Sequence, residues 1–245
     1  MAQEIFERVE KKYLLDTADY LNILPELIRF MRADAYGKYT VSNIYFDSPD
    51  YSLIRSSFEK PVYKEKLRLR CYGEPGEEKT VFVEIKKKYA GVVFKRRIDM
   101  KLKDARRYLY CGFKPDLDNA GFVRKQIFRE IDYMKNRNSL QPAVMIAYDR
   151  IAFIGKENPD LRVTFDNNIR CRDYDLDLRD KTGGRQLLNS GQILMEVKLN
   201  GSMPLWMGHI LEKLSDCRTS FSKYGEFYRI IQTEKERKEG GKICA

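Results

Sequence analysis

Taken two residues at a time, much of this chain alternates between charge and hydrocarbon. Tyr63 to Tyr72 puts Lys64, Lys66, Arg68 and Arg70 on one side and Leu67 and Leu69 on the other, and Thr80 to Lys88 sets Glu84, Lys86 and Lys88 against Val81, Val83 and Ile85. A period of two belongs to a strand with one face on a core, because successive side chains leave a strand on opposite sides. The same pattern predicts strands over Ile5 to Leu15, with Arg8, Glu10 and Lys12 in phase, and over Val92 to Met100, with Lys95 and Arg97 in phase. It recurs in Ala143 to Phe153 (Tyr148 and Arg150), Leu161 to Asp166 (Arg162, Thr164 and Asp166) and Gln192 to Leu199 (Glu196 and Lys198). Val41 to Phe46 reads as a shorter, more apolar strand, and Ala90-Gly91 as a hairpin turn.

Helical spacing lies between the strands. Ser48-Pro49 reads as a cap followed by proline at the first helical position, leading through Tyr51, Ile54 and Phe58. Phe122 to Met134 carries one apolar stripe, and Pro204 opens a helix with Leu205, Trp206, Ile210 and Leu214. Ala18 to Met31 is helical in pattern, with Pro25 expected to split it. The charged stretch from about Glu234 predicts a fraying helical tail, and Tyr174 to Arg185 a mobile loop that either covers an opening or is ordinary surface. Met203, Trp206, Met207 and His209 read as core or partner-facing residues.

The polar faces are biased to cations on several strands, and like charges opposite one another on neighbouring strands repel unless something negative sits over them. Closing the sheet turns the charged faces inward and buries the apolar faces under helices. The expectation is therefore an α+β protein: an antiparallel closed β-barrel of about eight strands forming a tunnel, with helices packed outside. A bore full of unpaired Lys and Arg costs several kcal/mol per ion to desolvate, so it is wet or filled. Arg forks fit phosphate oxygens and Lys adds a movable point charge, which favours a chain of phosphates or a nucleoside triphosphate such as ATP. Glu10, Glu84 and Glu196 inside such a bore either neutralise Lys12, Lys86 and Lys198 or hold Mg²⁺ or Mn²⁺ as hard oxygen ligands, with Glu196 the strongest metal candidate.

Composition narrows the chemistry. The 245 residues suit one domain, 1-245, and the net charge of +10 calls for an anionic partner. Five scattered cysteines read as reduced thiols, and a single histidine, His209, leaves nothing for a histidine zinc site or a Ser-His-Asp triad. The sequence shows no signal-like or membrane-spanning apolar run, which predicts a soluble, cytoplasmic protein.

Together, Arg8-Val9-Glu10-Lys11-Lys12-Tyr13, Tyr45-Phe46-Asp47, Arg68-Leu69-Arg70, Glu84-Ile85-Lys86, Tyr148-Asp149-Arg150, Glu196-Val197-Lys198 and Ser220-Phe221-Ser222-Lys223-Tyr224 make the chain resemble the VTC domain. That domain is the polyphosphate polymerase module of the vacuolar transporter chaperone complex, within the triphosphate tunnel metalloenzymes. The resemblance implies a metal-dependent transfer of the terminal phosphate of ATP onto polyphosphate. Lys12, Arg68, Arg70, Lys86, Arg150 and Arg162 would then be catalytic. Lys95, Arg97, Tyr148, Lys198, Ser222 and Lys223 would hold the nucleotide's phosphates, and Glu196, with Glu10 and Glu84, the Mn²⁺ or Mg²⁺. Eukaryotic relatives carry a phosphate-sensing module and membrane helices, neither of which is found in these 245 residues; a free-standing protein is expected, with coupling to translocation and an unidentified membrane or protein partner left open. Within the superfamily a triphosphate or polyphosphate hydrolase can share the same lining, and a noncatalytic polyanion-binding protein remains an alternative. Nucleic acid is not the expected partner, because Phe82, Phe94 and Phe221 read as core residues.

Overall fold

The computed structural model describes residues 8–59, 61–90, 92–180 and 183–240. In chain order the elements are β1 (Arg8–Leu15), α1 (Thr17–Phe30), β2 (Met31–Asp47), α2 (Ser52–Phe58), β3 (Tyr63–Tyr72), β4 (Thr80–Tyr89), β5 (Val92–Lys101), α3 (Leu102–Cys111) and α4 (Phe122–Arg137). Then come β6 (Gln141–Gly155), β7 (Arg162–Arg172), β8 (Arg185–Gln186), β9 (Ile193–Asn200), α5 (Leu205–Lys213), β10 (Arg218–Thr219) and α6 (Lys223–Gly240). The strands form one antiparallel sheet in the order β10-β1-β9-β7-β6-β2-β3-β4-β5, with β8 beside β7. Among the described residues β5 at one edge shares no ladder with β10 or β1 at the other, so the sheet curls around a bore without closing by hydrogen bonds. Side chains span the gap instead: Lys86 Nζ on β4 lies 3.9 Å from Glu10 Oε2 on β1.

Period-two patterning sorts the residues as expected. Leu67, Leu69, Val81, Val83, Ile85 and Ile98 face outward under α3 and α4, in a cluster with Ala105, Tyr108, Phe128 and Ile131. Tyr13, Leu15, Val163, Phe165, Met195 and Val197 face outward under α1 and α5. Full burial of each such side chain is worth about 1.5–3 kcal/mol, so the outer face, rather than the bore, holds the sheet together. A third cluster is on the inside. Val144, Ile146 and Tyr148 alternate with the outward Met145 and Ala147 of β6, and they pack against Tyr224 and Phe227 of α6. The first turns of α6 thus plug one end of the bore.

Several elements differ from the periodicity. Pro25 does not split α1: it is exposed, and the hydrogen bond it removes is that of Leu21, itself exposed, while Ile23 and Leu27 hold the helix on the core. A capping box between Asp16 and Asp19 fixes its start. β2 runs well upstream of Val41, and β6 and β7 are longer than their alternating segments. Pro49 precedes α2 rather than opening it; Tyr51 takes a left-handed conformation (φ 58°), and the Asp47 carboxylate caps the helix by accepting from the backbone N–H groups of Leu53 (2.9 Å) and Ile54 (3.0 Å). The charged tail from Glu234 is the end of α6, which begins at Lys223, and α3 was not anticipated. Gly91 of the hairpin turn, the start of the Ile5 strand and Gly241 of the tail lie outside the described residues. The described part of the loop after β7 is anchored: buried Arg172 donates to the carbonyls of Tyr174, Asp175 and Asp180 at 3.2, 3.1 and 2.8 Å.

Candidate functional site: a cation-lined bore

The cations in inward-facing positions or the plug include Lys12, Lys66, Arg68, Arg70, Lys86, Lys95, Arg97, Arg150, Arg162, Lys198 and Lys223. Four carboxylates, those of Glu10, Glu84, Asp166 and Glu196, stand among them. Exposure grades along the bore. The side chains of Lys86, Lys95, Arg97 and Arg162 are close to half exposed, whereas Arg70, Arg150, Lys223 and Glu196 are buried.

On the β3–β4–β5 wall Glu84 is the hub. Its side chain is 1% exposed, and its carboxylate lies 2.6 Å from Arg68 Nη2, 2.8 Å from Lys95 Nζ and 3.9 Å from both Arg70 Nε and Arg97 Nη1. Burial works to raise this carboxyl, but Arg68, Arg70 and Lys95 outweigh it and hold it down to about 2. Arg70 is fixed on its other sides by Asn43 Oδ1 (2.7 Å), the Tyr72 hydroxyl (3.3 Å) and the Tyr148 hydroxyl (3.2 Å). Its fork therefore has a set direction before any ligand arrives.

The opposite wall, from β1, β9, β7 and β6, is a second network. Arg150 donates to both oxygens of Asp166 at 2.6 and 2.7 Å. Lys223, the first residue of α6, lies 2.7 Å from Asp166 and 3.5 Å from Glu196, and stands 4.6 Å from the centre of the Tyr148 ring. Glu196 also meets Lys198 at 2.5 Å and Lys12 at 3.7 Å, while Lys12 donates to the Phe221 carbonyl at 2.9 Å. Burial opposes ionisation of Glu196, and Lys198, Lys223 and Lys12 overcome it, keeping its carboxyl well below the usual range. Asp166 is lowered in the same way by Lys223 and Arg150.

Lys66 lies between the walls. It has no carboxylate partner among the described residues and sits 5.8 Å from the centre of the Tyr224 ring. Burial, with Lys86, Lys64 and Lys12 nearby, lowers its ammonium to about 8 despite the opposing influence of Tyr45. Burial would raise the Tyr45 phenol, but Arg68, Arg70 and Lys66 bring it down to about 8, and its hydroxyl accepts from Arg68 at 3.3 Å.

The remaining candidates are less central. Arg162 lies 3.6 Å from Asp34 near an opening. Ser222 caps the start of α6, its Oγ accepting from the Gly225 N–H at 3.3 Å. The three glutamates proposed for metal do not converge: Glu10 and Glu196 share Lys12, and Glu84 sits with its own cations. No group of three His, Cys, Asp or Glu residues with metal-site geometry occurs among the described residues. The hard oxygen donors that lie together are Glu196 and Asp166, joined through Lys223, with Glu10 beside Glu196. Sequence reasoning misses Lys66, Asp166, Asn43 and Tyr45 as site residues: Lys66 and Asp166 are in phase with Arg68 and Arg162 on their own strands, whereas Asn43 and Tyr45 meet Arg70 and Arg68 only through the β2–β3 register. Phe82 shares the inward face with Glu84 and is not a core residue; it packs on Tyr72, ring centres 5.7 Å apart. A separate cleft of about 430 Å³, lined by Ile98, Phe122, Val123, Arg124 and Ile127, shares only Arg97 with the bore.

The profile of the VTC domain matches residues 7–231. Among solved structures, a candidate adenylate cyclase from Bacillus halodurans is similar with a TM-score of 0.54 at 15% identity, over 91% of this chain and 96% of that one. A candidate adenylyl cyclase from Hippeastrum, described as having a dominant triphosphatase activity, gives 0.52 at 14% identity over 93% and 96% of the two chains. A candidate adenylate cyclase from Vibrio parahaemolyticus gives 0.50 at 14% over 92% and 99%. At these identities the likeness is one of fold. No curated protein matches the chain. No described helix is long and apolar enough to cross a membrane.

Proposed function

The chain belongs to the VTC domain family, and from that membership we propose that it is a metal-dependent phosphotransferase that moves the terminal phosphate of ATP onto a polyphosphate chain held in the bore. The observation that carries this reading is the excess of inward cations over carboxylates, with Lys66 left without a carboxylate partner among the described residues. Charges crowded into a partly desolvated space are stabilised by a polyanion and by little else.

Phosphoryl transfer asks mainly for positioning and charge neutralisation. Arg68, Arg70 and Arg97 would take the oxygens of one phosphate segment, and Lys12, Arg150, Lys198 and Lys223 those of the next, with Lys66 and Lys86 between. The terminal oxygen of polyphosphate is already ionised, so its attack on the γ-phosphorus needs no general base. The new O–P bond forms as the β–γ bridging O–P bond breaks, and ADP leaves with that electron pair. The cations spread over both walls neutralise charge on acceptor, transferring group and leaving group alike. Glu196 and Asp166, joined through Lys223, are the pair of hard oxygen donors that would hold a divalent ion such as Mg²⁺ or Mn²⁺, which when bound would supply further charge neutralisation on the phosphates.

Purified protein given ATP and Mn²⁺ is expected to release ADP and accumulate acid-labile polymer, and Glu196→Gln to abolish both while melting as a folded protein. Orthophosphate without polymer would identify a triphosphatase instead. Neither product, alongside tight binding of tripolyphosphate, would leave a binding protein.

A further inference from the structure

Four aromatic rings cross the sheet at one opening of the bore. The ring centres of Tyr36 and Tyr39 lie 5.9 Å apart, those of Tyr39 and Tyr72 6.2 Å, and those of Tyr72 and Phe82 5.7 Å, each pair meeting edge to face. The Arg97 guanidinium completes the series 4.6 Å from the centre of Phe82. These residues come from β2, β3, β4 and β5, which are neighbours in the sheet, so the rim is built by the fold and not by one stretch of sequence. Rings that only pack a core are covered; Tyr36 is 78% exposed.

The backbone that carries the exposed ring is nevertheless anchored. A bulge in β2 between Ala33 and Lys38, with Gly37 at φ 61°, loops the Tyr36 segment out of the β6 ladder. The Asp34 carboxylate accepts from the Tyr36 N–H at 3.1 Å and faces Arg162 at 3.6 Å. Arg162 Nε is buried and has no hydrogen-bond partner among the described residues. The rim is also continuous with the phosphate-facing cations: Arg70 donates to the Tyr72 hydroxyl at 3.3 Å, and Arg97 reaches from Phe82 towards Glu84.

A cationic lining reads only the phosphates that ATP shares with any polyphosphate. Faces and edges of aromatic rings beside guanidinium groups attract a planar π-system, by stacking and by cation–π contact. We propose that this rim is a nucleobase platform, on which the base of a nucleoside triphosphate rests against Tyr36 and Tyr39 while its phosphates pass Arg97 and Arg162 into the bore. This rests on the phosphotransferase reading and adds a means of distinguishing a nucleotide donor from inorganic polyphosphate. Stacking accepts every base, and purines, with the larger face, bind more tightly than pyrimidines.

Calorimetric titrations of ATP and of tripolyphosphate into wild type, Tyr36→Ala and Tyr36→Phe test it. The platform predicts that Tyr36→Ala weakens ATP about tenfold, the size expected for losing one stacked base. It also predicts that tripolyphosphate binding is unchanged and that Tyr36→Phe behaves as wild type. Tripolyphosphate binding to every form with no selective loss of ATP overturns the platform and leaves the bore reading intact. Equal losses for both ligands overturn it as well, since Tyr36 would then serve the phosphate site or the fold. Failure of wild type to bind either ligand overturns both readings together.

Discussion

Arg68 grips a single oxygen of Glu84 with two nitrogens, Nε at 2.7 Å and Nη2 at 2.6 Å from Oε2. The pair faces the bore, and the same carboxylate also draws in Lys95, Arg70 and Arg97. One buried anion thereby organises four cations that would otherwise repel one another.

Glu84→Gln should therefore destabilise the empty protein by about 3 kcal/mol, the usual cost of leaving a buried partner uncompensated. Saturating tripolyphosphate should recover a larger share of stability in the variant than in wild type, because the ligand replaces the missing negative charge. Urea unfolding with and without tripolyphosphate measures both effects. A variant as stable as wild type without ligand would show that the cations do not depend on Glu84.

Lys66 and Tyr45 give the bore a response to pH. Folded Lys66 loses its proton near 8, against 10.5 ordinarily, and folded Tyr45 loses its own near 8, against 10.0. Between about pH 8 and 10 the unfolded chain holds more protons at both groups, so stability of the empty protein rises with pH across that window. Affinity for tripolyphosphate runs the other way, because above pH 8 the bore loses one positive charge and gains one negative. Calorimetry in buffers of different ionisation heat should show proton uptake on binding near pH 8, reduced in Lys66→Met. Binding that strengthens from pH 7.5 to 9 would contradict this.

Arg70→Lys is expected to impair phosphate binding more than its retained charge suggests. The guanidinium reaches Asn43, Tyr72 and Tyr148 at once, and an ammonium cannot reproduce that fork. A titration with tripolyphosphate should show a loss of at least about tenfold, with the melting temperature lowered because Asn43 and Tyr148 lose a buried donor.

The plug has its own latch. The Tyr224 hydroxyl donates to Asp47 Oδ2 at 2.8 Å, tying α6 to the carboxylate that caps α2. Tyr224→Phe should cost about 2 kcal/mol, as for a buried hydrogen bond to a charged group, and should speed hydrogen exchange in both helices. Exchange confined to α6 would separate the two elements.

The period of two in the sequence was enough to separate the two faces of nearly every strand, because burial of Leu67, Val83 or Val197 and exposure of Arg68, Glu84 or Lys198 to the bore are opposite sides of one pleat. Ion pairing within the bore was less legible. Asp166 alternates with Arg162 like any polar residue, and only the β6–β7 register brings it opposite Arg150. Phe82 reads as core because it is apolar, although its phase with Glu84 and Lys86 already puts it inside. Pro25 misled because a proline on the exposed side of a capped, packed helix forfeits little. The plug could not be foreseen from α6's own pattern, since what it covers is the inner face of β6.

The most direct test is a crystal structure of the protein with tripolyphosphate. The phosphates are predicted to lie inside the bore, contacting Arg68 and Arg70 on one wall and Arg150 or Lys223 on the other. Phosphates found only on outer surfaces, with the networks around Glu84 and Asp166 undisturbed, would contradict the account.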